Sequence, residues 1–262
     1  MSAVILRDQI IHYEVLGRGR PLFFLHGWVG SWRYWVPAMQ SASQGFRTYA
    51  LDLWGFGDTA KNPNYYSIKQ QIDLLVEFLG KMGIDKIALV GHGLGAIIAL
   101  LYTARYPHLV DRVMVINLPS RPNAVYPRLR AASPMELAEW LLVRTSFTEP
   151  IWAEVPKTDP KAILLSITDL DQLDLRNLTN RTNTPCLLVH GQNDPAFEPM
   201  LPEEITALPD HVHYIAFDGS AHFPMLDETS KFNRLLADFL GLDSGESPRQ
   251  LQLKEEWKRR VR

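Results

Sequence analysis

Gly91-His92-Gly93-Leu94-Gly95 is the stretch whose spacing could do chemistry. It follows the apolar run Ile87-Ala-Leu-Val90 and leads into the helical pattern of Ile97 to Tyr106, so the glycines fall where a strand turns tightly into a helix. Glycine at alternate positions in that setting matches G-x-S-x-G, the turn that holds a nucleophile above a sheet. The chemistry of such a turn is attack by a side-chain oxygen on an electrophilic carbon, yet the central position here is Gly93, with no reactive atom. The outer glycines let strand and helix approach closely, and Gly93 takes the strained central conformation at lower cost than serine. The competing use of such glycines is a phosphate cradle. Neither G-x-G-x-x-G nor G-x-x-x-x-G-K-[ST] is present, and the turn lies well into the chain, so nucleotide binding is not expected.

The rest of the chain must position this turn. Val4 to Leu6 and Ile10 to Val15 read as an N-terminal hairpin; Leu22-Phe-Phe-Leu25 is the continuous apolar run of a strand buried on both faces. It ends in His26-Gly27-Trp28-Val29-Gly30-Ser31, and a helix is expected over Trp32 to Gln40. Strand Arg47 to Leu51 runs into the glycine-bent loop Asp52 to Asp58. Ile68, Ile72, Leu75, Phe78 and Leu79 then mark one face of a helix that Gly83 closes. A strand over Arg112 to Leu118 follows the elbow helix; later come strand Cys186 to Gly191, a helix near Pro202 to Leu208, strand Val212 to Phe217 and a closing helix from Glu228 to Leu240. Strands alternating with helical periods predict an α/β fold with a mostly parallel sheet and helices on both faces.

Residues 119–185 break that rhythm. Ser133 as N-cap, Pro134 at the first helical position and Glu136 three residues after the cap mark one helix start, and Thr158-Asp-Pro marks a second. This stretch reads as a helical cap inserted into a core domain formed by 1–118 and 186–242, with ordinary core helices as the alternative. Residues 243–262 form a charged tail in which Leu253, Trp257 and Val261 suggest a short amphipathic helix, either solvated or able to contact a partner or an anionic surface.

Composition narrows the function. Lys+Arg 27 against Asp+Glu 29 gives no field that points to nucleic acid. The single cysteine, Cys186, excludes an intramolecular disulfide and a multi-cysteine metal site, and reads as a buried structural thiol. No His/Asp/Glu cluster has metal-ligand spacing, so neither metal nor cofactor is expected. No apolar run is long enough to span a membrane, and the expected location is cytoplasmic.

Taken together, His26-Gly27 with Gly30-Ser31, Gly91 to Gly95, Gly191-Gln-Asn-Asp-Pro195 and Gly219-Ser-Ala-His-Phe-Pro224 resemble, in this order and spacing, the four signature loops of the α/β-hydrolase fold family. The resemblance covers the chain to about residue 241. It implies that Asp194 is the triad acid, His222 the triad base, Gly93 the vacant nucleophile position, and the backbone N–H groups of Trp28 and Leu94 the oxyanion donors. It also implies an ester- or lactone-like small-molecule ligand. Chemically the pair makes sense: a carboxylate on one ring nitrogen fixes the imidazole tautomer and stabilises the imidazolium.

The other polar residues near these loops have simpler readings. His26, His92 and His190 are expected to make loop-fixing hydrogen bonds, with His92 pointing away from the pocket, and Asp52 and Asp58 to stabilise their glycine loop. Ser31, Ser120 and Ser220 are the hydroxyls that could replace the missing nucleophile, but none sits on an elbow. Three accounts of Gly93 stay open. The chain is an enzyme using the dyad on water or a substrate proton, a non-catalytic binding or scaffold protein, or a serine hydrolase silenced by a serine-to-glycine substitution.

Overall fold

In the computed structural model, which describes residues 2–119, 126–173, 178–243 and 246–253, the apolar runs become strands β1 (Ser2–Leu6), β2 (Gln9–Leu16), β3 (Arg20–Leu25), β4 (Phe46–Leu51), β5 (Ile87–His92), β6 (Val110–Ile116), β7 (Cys186–Gly191) and β8 (Val212–Phe217). They form one sheet in the order β1-β2-β4-β3-β5-β6-β7-β8. The hairpin β1-β2 is antiparallel and joins β4 antiparallel. From β4 to β8 every neighbouring pair is parallel, and parallel neighbours require crossovers, which the helices supply.

Helices α1 (Val36–Ala42), α2 (Ile68–Met82) and α3 (Leu94–Arg105) lie in the first half of the chain. Between β6 and β7 come α4 (Arg128–Ala131), α5 (Pro134–Leu141), α6 (Glu149–Trp152) and α7 (Pro160–Leu170). After β7 come α8 (Pro202–Thr206), α9 (Pro224–Asp227) and α10 (Thr229–Gly241). The α2 stripe is buried as its spacing predicts, with Phe78 edge-on to Phe23 at 5.9 Å between ring centres. Ser67 caps its start and Gly83, at φ +65°, takes the left-handed turn that ends it. α3 is apolar on nearly all sides and packs on β3, β5 and β6 at the centre of the fold.

One helix start differs from expectation. The segment after Ser31 opens as a 3-10 turn, Trp32–Trp35, and becomes α-helical only from Val36, where Pro37 sits in the first turn and has no N–H to lose. The start expected at Thr158-Asp-Pro is that of α7: Asp159 is its N-cap, with the carboxylate accepting from the Lys161 N–H, and Pro160 is its first residue. The start of α5 is as predicted, with Ser133 and Glu136 capping reciprocally. Of the tail, Trp257 and Val261 lie outside the described residues; Leu251 is tied to the last strand through its carbonyl and His213 Nε2 at 3.0 Å.

This topology decides where a ligand can sit. From β3 the chain moves outward to β4, then returns to place β5 on the other side of β3. Open α/β sheets form a crevice at the carboxyl ends of strands where the order reverses in this way. The loop His26-Gly27-Trp28 leaves β3 there, and Gly93 leaves β5 beside it.

Candidate active site

Gly93 caps α3 with φ +52° and ψ −111°, a conformation L-residues rarely adopt. Its neighbours make the turn possible. A Cβ on Gly91 would stand 2.2 Å from the Gly95 carbonyl oxygen, and one on Gly95 would stand 2.2 Å from the Leu25 carbonyl oxygen, so both positions require glycine. The turn is clamped from both sides: the Gly93 N–H donates to the Ile116 carbonyl and the Gly95 N–H to the His26 carbonyl, each at 3.0 Å. The nearest atoms to a Cβ on Gly93 itself would be Cε3 and Cζ3 of Trp28 at 3.4 Å and Gly27 Cα at 3.6 Å, which is ordinary contact. Thus the backbone holds the strained nucleophile geometry and the space admits a side chain, although the residue present has none.

The loops after β7 and β8 bring Asp194 and His222 together. His222 Nδ1 lies 3.0 Å from each carboxylate oxygen of Asp194, with His222 1% and Asp194 9% exposed. One of those oxygens also accepts the Ala196 N–H at 2.8 Å, which fixes the carboxylate in its turn. Nδ1 therefore carries the proton that faces Asp194, and Nε2 is the nitrogen left for chemistry. Leu94 is the first residue of α3, where the helix's own bonding pattern leaves the N–H without a partner; Trp28 is packed beside Gly93.

His92 does not point away from this site. Its ring centre lies 4.7 Å from that of His222, and its Nε2 is 2.8 Å from the His222 carbonyl oxygen. Its Nδ1 is 3.0 Å from the Tyr34 hydroxyl, which accepts the Gly27 N–H at 2.6 Å. The partners fix the tautomer: Nε2–H donates to the carbonyl, and Nδ1 accepts from Tyr34. Burial, then the neighbouring His222, holds His92 well below the usual histidine pKa, so the ring is neutral. Burial likewise keeps the Tyr34 phenol protonated. The reason for the wrong expectation is that strand alternation says which face a side chain takes but not that the histidine loop folds back over it.

Three further residues escaped the sequence reading. Asn117, left-handed at φ +49°, donates from Nδ2 to the His222 carbonyl at 2.9 Å and accepts the Gly191 N–H at 2.9 Å, joining the ends of β6 and β7 to the histidine loop. Ser166 of α7 accepts the Trp28 indole N–H at 2.9 Å. Phe197 packs between Trp28 and His222, with ring centres 5.9 and 5.6 Å away. Only Asn117 offered a signal, since asparagine at a strand end favours the left-handed conformation.

The remaining polar residues have structural partners. His26 donates from Nδ1 to the Gly27 carbonyl at 2.8 Å and accepts the Leu53 N–H on Nε2 at 3.0 Å. Ser31 bonds to Glu154 and Ser220 to Glu228, while Ser120 lies outside the described residues. His12, Asp52 and Asp58, remote in sequence, bring one ligand-type atom each within 4.8 Å of one another, a grouping the spacing could not reveal. However, Asp52 already accepts the Trp32 and Asp58 N–H groups and the His12 Nδ1–H, and Asp58 pairs with Lys157 at 2.9 Å, so the group knots its loop.

The comparisons agree with this fold. A family model described as alpha/beta hydrolase fold matches residues 20–144. The chain is 28% identical over 204 residues to bifunctional epoxide hydrolase 2 of Rattus norvegicus, covering 74% of this chain and 36% of that protein. It spans only 22% to 38% of the length of this and two further epoxide hydrolases that it matches. A hydrolase from Pseudomonas aeruginosa PA01 superposes with a TM-score of 0.80 at 18% identity, over 92% of this chain and 98% of that one. A serine-to-glycine mutant of the N-acyl homoserine lactonase AidH, complexed with N-hexanoyl homoserine lactone, superposes with a TM-score of 0.78 at 21% identity, over 91% and 96%. Among the described residues no helix is long and apolar enough to cross a membrane.

Proposed function

We propose, for a chain that belongs to the α/β-hydrolase fold family, that the site binds a small, largely apolar ester- or lactone-like molecule and acts on it through His222 and Asp194 without a covalent step. The single observation that carries this reading is the buried His222–Asp194 contact at 3.0 Å, kept beside an elbow whose own residue cannot attack. In this reading His222 Nε2 takes a proton from water as the water oxygen bonds to the carbonyl carbon. The carbonyl electrons move onto its oxygen, which the Trp28 and Leu94 N–H groups stabilise. Collapse breaks the bond to the leaving oxygen, and the imidazolium returns its proton there, giving an acid and an alcohol. Asp194 stabilises the imidazolium throughout. A site lacking one triad member retains about 10³ to 10⁴ over the uncatalysed rate, so slow turnover is the expected scale. The helices of 119–185 serve as the cap over this site.

A second reading, a binding or scaffold protein, has its own support. The Trp28 ring packs against the place where a nucleophile's Cβ would stand, and in the lactonase neighbour a serine-to-glycine mutant is found with a lactone. Turnover of activated esters and lactones by the chain and by His222→Ala separates the two. Hydrolysis that disappears with His222 supports the water mechanism. No hydrolysis by either, with saturable binding of the same compounds, replaces it with the binding reading. Fluorophosphonate labelling should be absent; stoichiometric labelling that depends on His222 would overturn both.

A further inference from the structure

We propose that Asn117 is a positioning residue, the group that sets the loop of Asp194 against the loop of His222. The proposal rests on the reading of those two residues as the working pair. Asn117 follows β6 directly, fully buried and left-handed at φ +49°, a conformation that asparagine tolerates better than most L-residues. Its backbone N–H donates to the Val189 carbonyl at 2.9 Å, which docks it on β7. The side chain then reaches both functional loops. Oδ1 accepts the Gly191 N–H at 2.9 Å, and Nδ2 donates to the His222 carbonyl at 2.9 Å and to the Ala221 carbonyl at 3.4 Å. The partners fix which end is which, since an N–H must meet the amide oxygen and a carbonyl must meet the amide nitrogen.

These contacts close a circuit. Gly191, held by Oδ1, accepts the Asp194 N–H on its own carbonyl at 2.9 Å, and the Asp194 carboxylate meets His222 Nδ1 at 3.0 Å. The His222 carbonyl leads back to Asn117 Nδ2. Asn117 therefore stands at the corner opposite the pair. The two loops lie close enough for a shift in one to move the other: the Asn193 N–H donates to the Ser220 carbonyl at 3.0 Å, and a Cβ on Gly191 would stand 1.8 Å from the Ala221 carbonyl oxygen. His92 and Asp227 hold the histidine loop, through the His222 carbonyl and the Ala221 N–H, whereas the Asn117 side chain holds both loops at once. That task needs a donor and an acceptor on one short side chain. An aspartate carboxylate accepts but cannot donate, and glycine does neither. A buried Gly191 N–H left unpaired costs its desolvation, so the acid loop would shift to find a partner and carry Asp194 with it.

The test reads the pair itself, as hydrogen exchange of the His222 Nδ1–H resonance in the full chain, assigned by its loss in His222→Ala. The His26 ring N–H, which faces the Gly27 carbonyl, is the internal control. Asn117→Gly removes the side chain and keeps the left-handed backbone without steric cost. Exchange at His222 should quicken about tenfold or more, with His26 within about twofold of the parent. Asn117→Asp matches the amide while its carboxyl is neutral, donating and accepting as before, and loses the donor once it ionises. Its exchange should lie within about threefold of the parent near pH 5.5 and be about tenfold faster near pH 9. Parent and variant are compared at the same pH, because His92, His190, His222, Asp194 and Asp227 face this position in both. Where the chain or its Gly93→Ser variant turns over an ester, Asn117→Gly should lower kcat about tenfold with KM little changed. A chain that turns nothing over leaves the exchange measurement intact, so this proposal and the hydrolytic reading fail separately. Parent-like exchange at His222 in Asn117→Gly, even with a lower unfolding midpoint, would make Asn117 a residue of the fold alone and overturn the proposal, as would an equal rise at His26. If Asn117→Gly does not fold, Asn117→Asp decides, and a ratio to the parent that stays flat with pH overturns it.

Discussion

His92 Nε2 donates to the backbone carbonyl oxygen of His222 across 2.8 Å. The residue before the elbow thereby holds the residue that would do the chemistry. The chain Gly27 N–H to Tyr34 hydroxyl to His92 to His222 carbonyl links the loops after β3, β5 and β8. Asn117 meets the same carbonyl from β6. His222 is thus aimed by its backbone as well as by Asp194.

Removing the imidazole should loosen that aim. His92→Ala leaves the Tyr34 hydroxyl without its acceptor and is expected to cost about 1–3 kcal/mol in urea unfolding. Amide exchange in the loop around His222 should rise more than elsewhere in the core. Unchanged protection in that loop would mean that Asn117 and Asp194 suffice.

The buried histidines set a pH dependence whose sign can be worked out. His26, His92 and His190 are each held below the ordinary histidine pKa, burial being the main cause in each. Between those folded values and about 6.5 the unfolded chain binds more protons, so their stabilisation is complete above 6.5 and is lost as pH falls. His12 runs the other way. Burial lowers its pKa, but the hydrogen bond and charge of Asp52 outweigh that, so its contribution is present below 6.5 and is lost as pH rises through its folded value. With these three and His213, which burial also lowers, set against His12, the urea midpoint should fall from pH 7.5 to 5.5, each histidine supplying at most about 1.4 kcal/mol per pH unit. His12→Ala should steepen the fall, and a flat profile would contradict the assignment.

Trp28 depends on the helices between β6 and β7. Ser166→Ala strands the indole N–H that Ser166 accepts at 2.9 Å in a buried place, at a cost of about 1–3 kcal/mol. Trp28 lies over Gly93, so the change should also weaken ester or lactone binding. Stability lost with affinity unchanged would separate the two roles.

Cys186 starts β7, fully buried, and burial pushes its thiol up to about 12. Ellman's reagent should leave it unmodified in the native chain and react stoichiometrically in urea. Fast native labelling would show that β7 opens locally.

How much of this was legible in the sequence follows from the range of each interaction. Strand and helix identities rest on local periodicity, so Phe78 and Leu75 announced their face and Ser133 its cap. The elbow glycines were readable because close approach within five residues demands them. Asp194 and His222 could be named only through resemblance, since 28 residues separate them and no local pattern joins them. Contacts between remote loops, such as Tyr34 to His92 over 58 residues and Trp28 to Ser166 over 138, left no trace in local spacing. His92 makes the loop-fixing hydrogen bonds its position suggests, but its place against His222 is hidden from local spacing for the same reason.

Gly93→Ser tests whether the rest of the site is intact. A serine Cβ would meet Trp28 carbons at 3.4 Å, which needs no rearrangement, so the cost comes from φ +52°. That strain is worth about 1–2 kcal/mol and should appear as a lower unfolding midpoint without loss of cooperativity. If the elbow, the dyad and the two N–H groups are correctly set, the new hydroxyl should bring esterase or lactonase activity above that of the starting chain, together with fluorophosphonate labelling that His222→Ala removes. A folded Gly93→Ser protein, inert to the probe and to a broad ester panel, would mean that the Trp28 ring blocks the approach to position 93. The pocket would then be built for binding, and the strained glycine would be a relic of the turn and no longer a part of the chemistry.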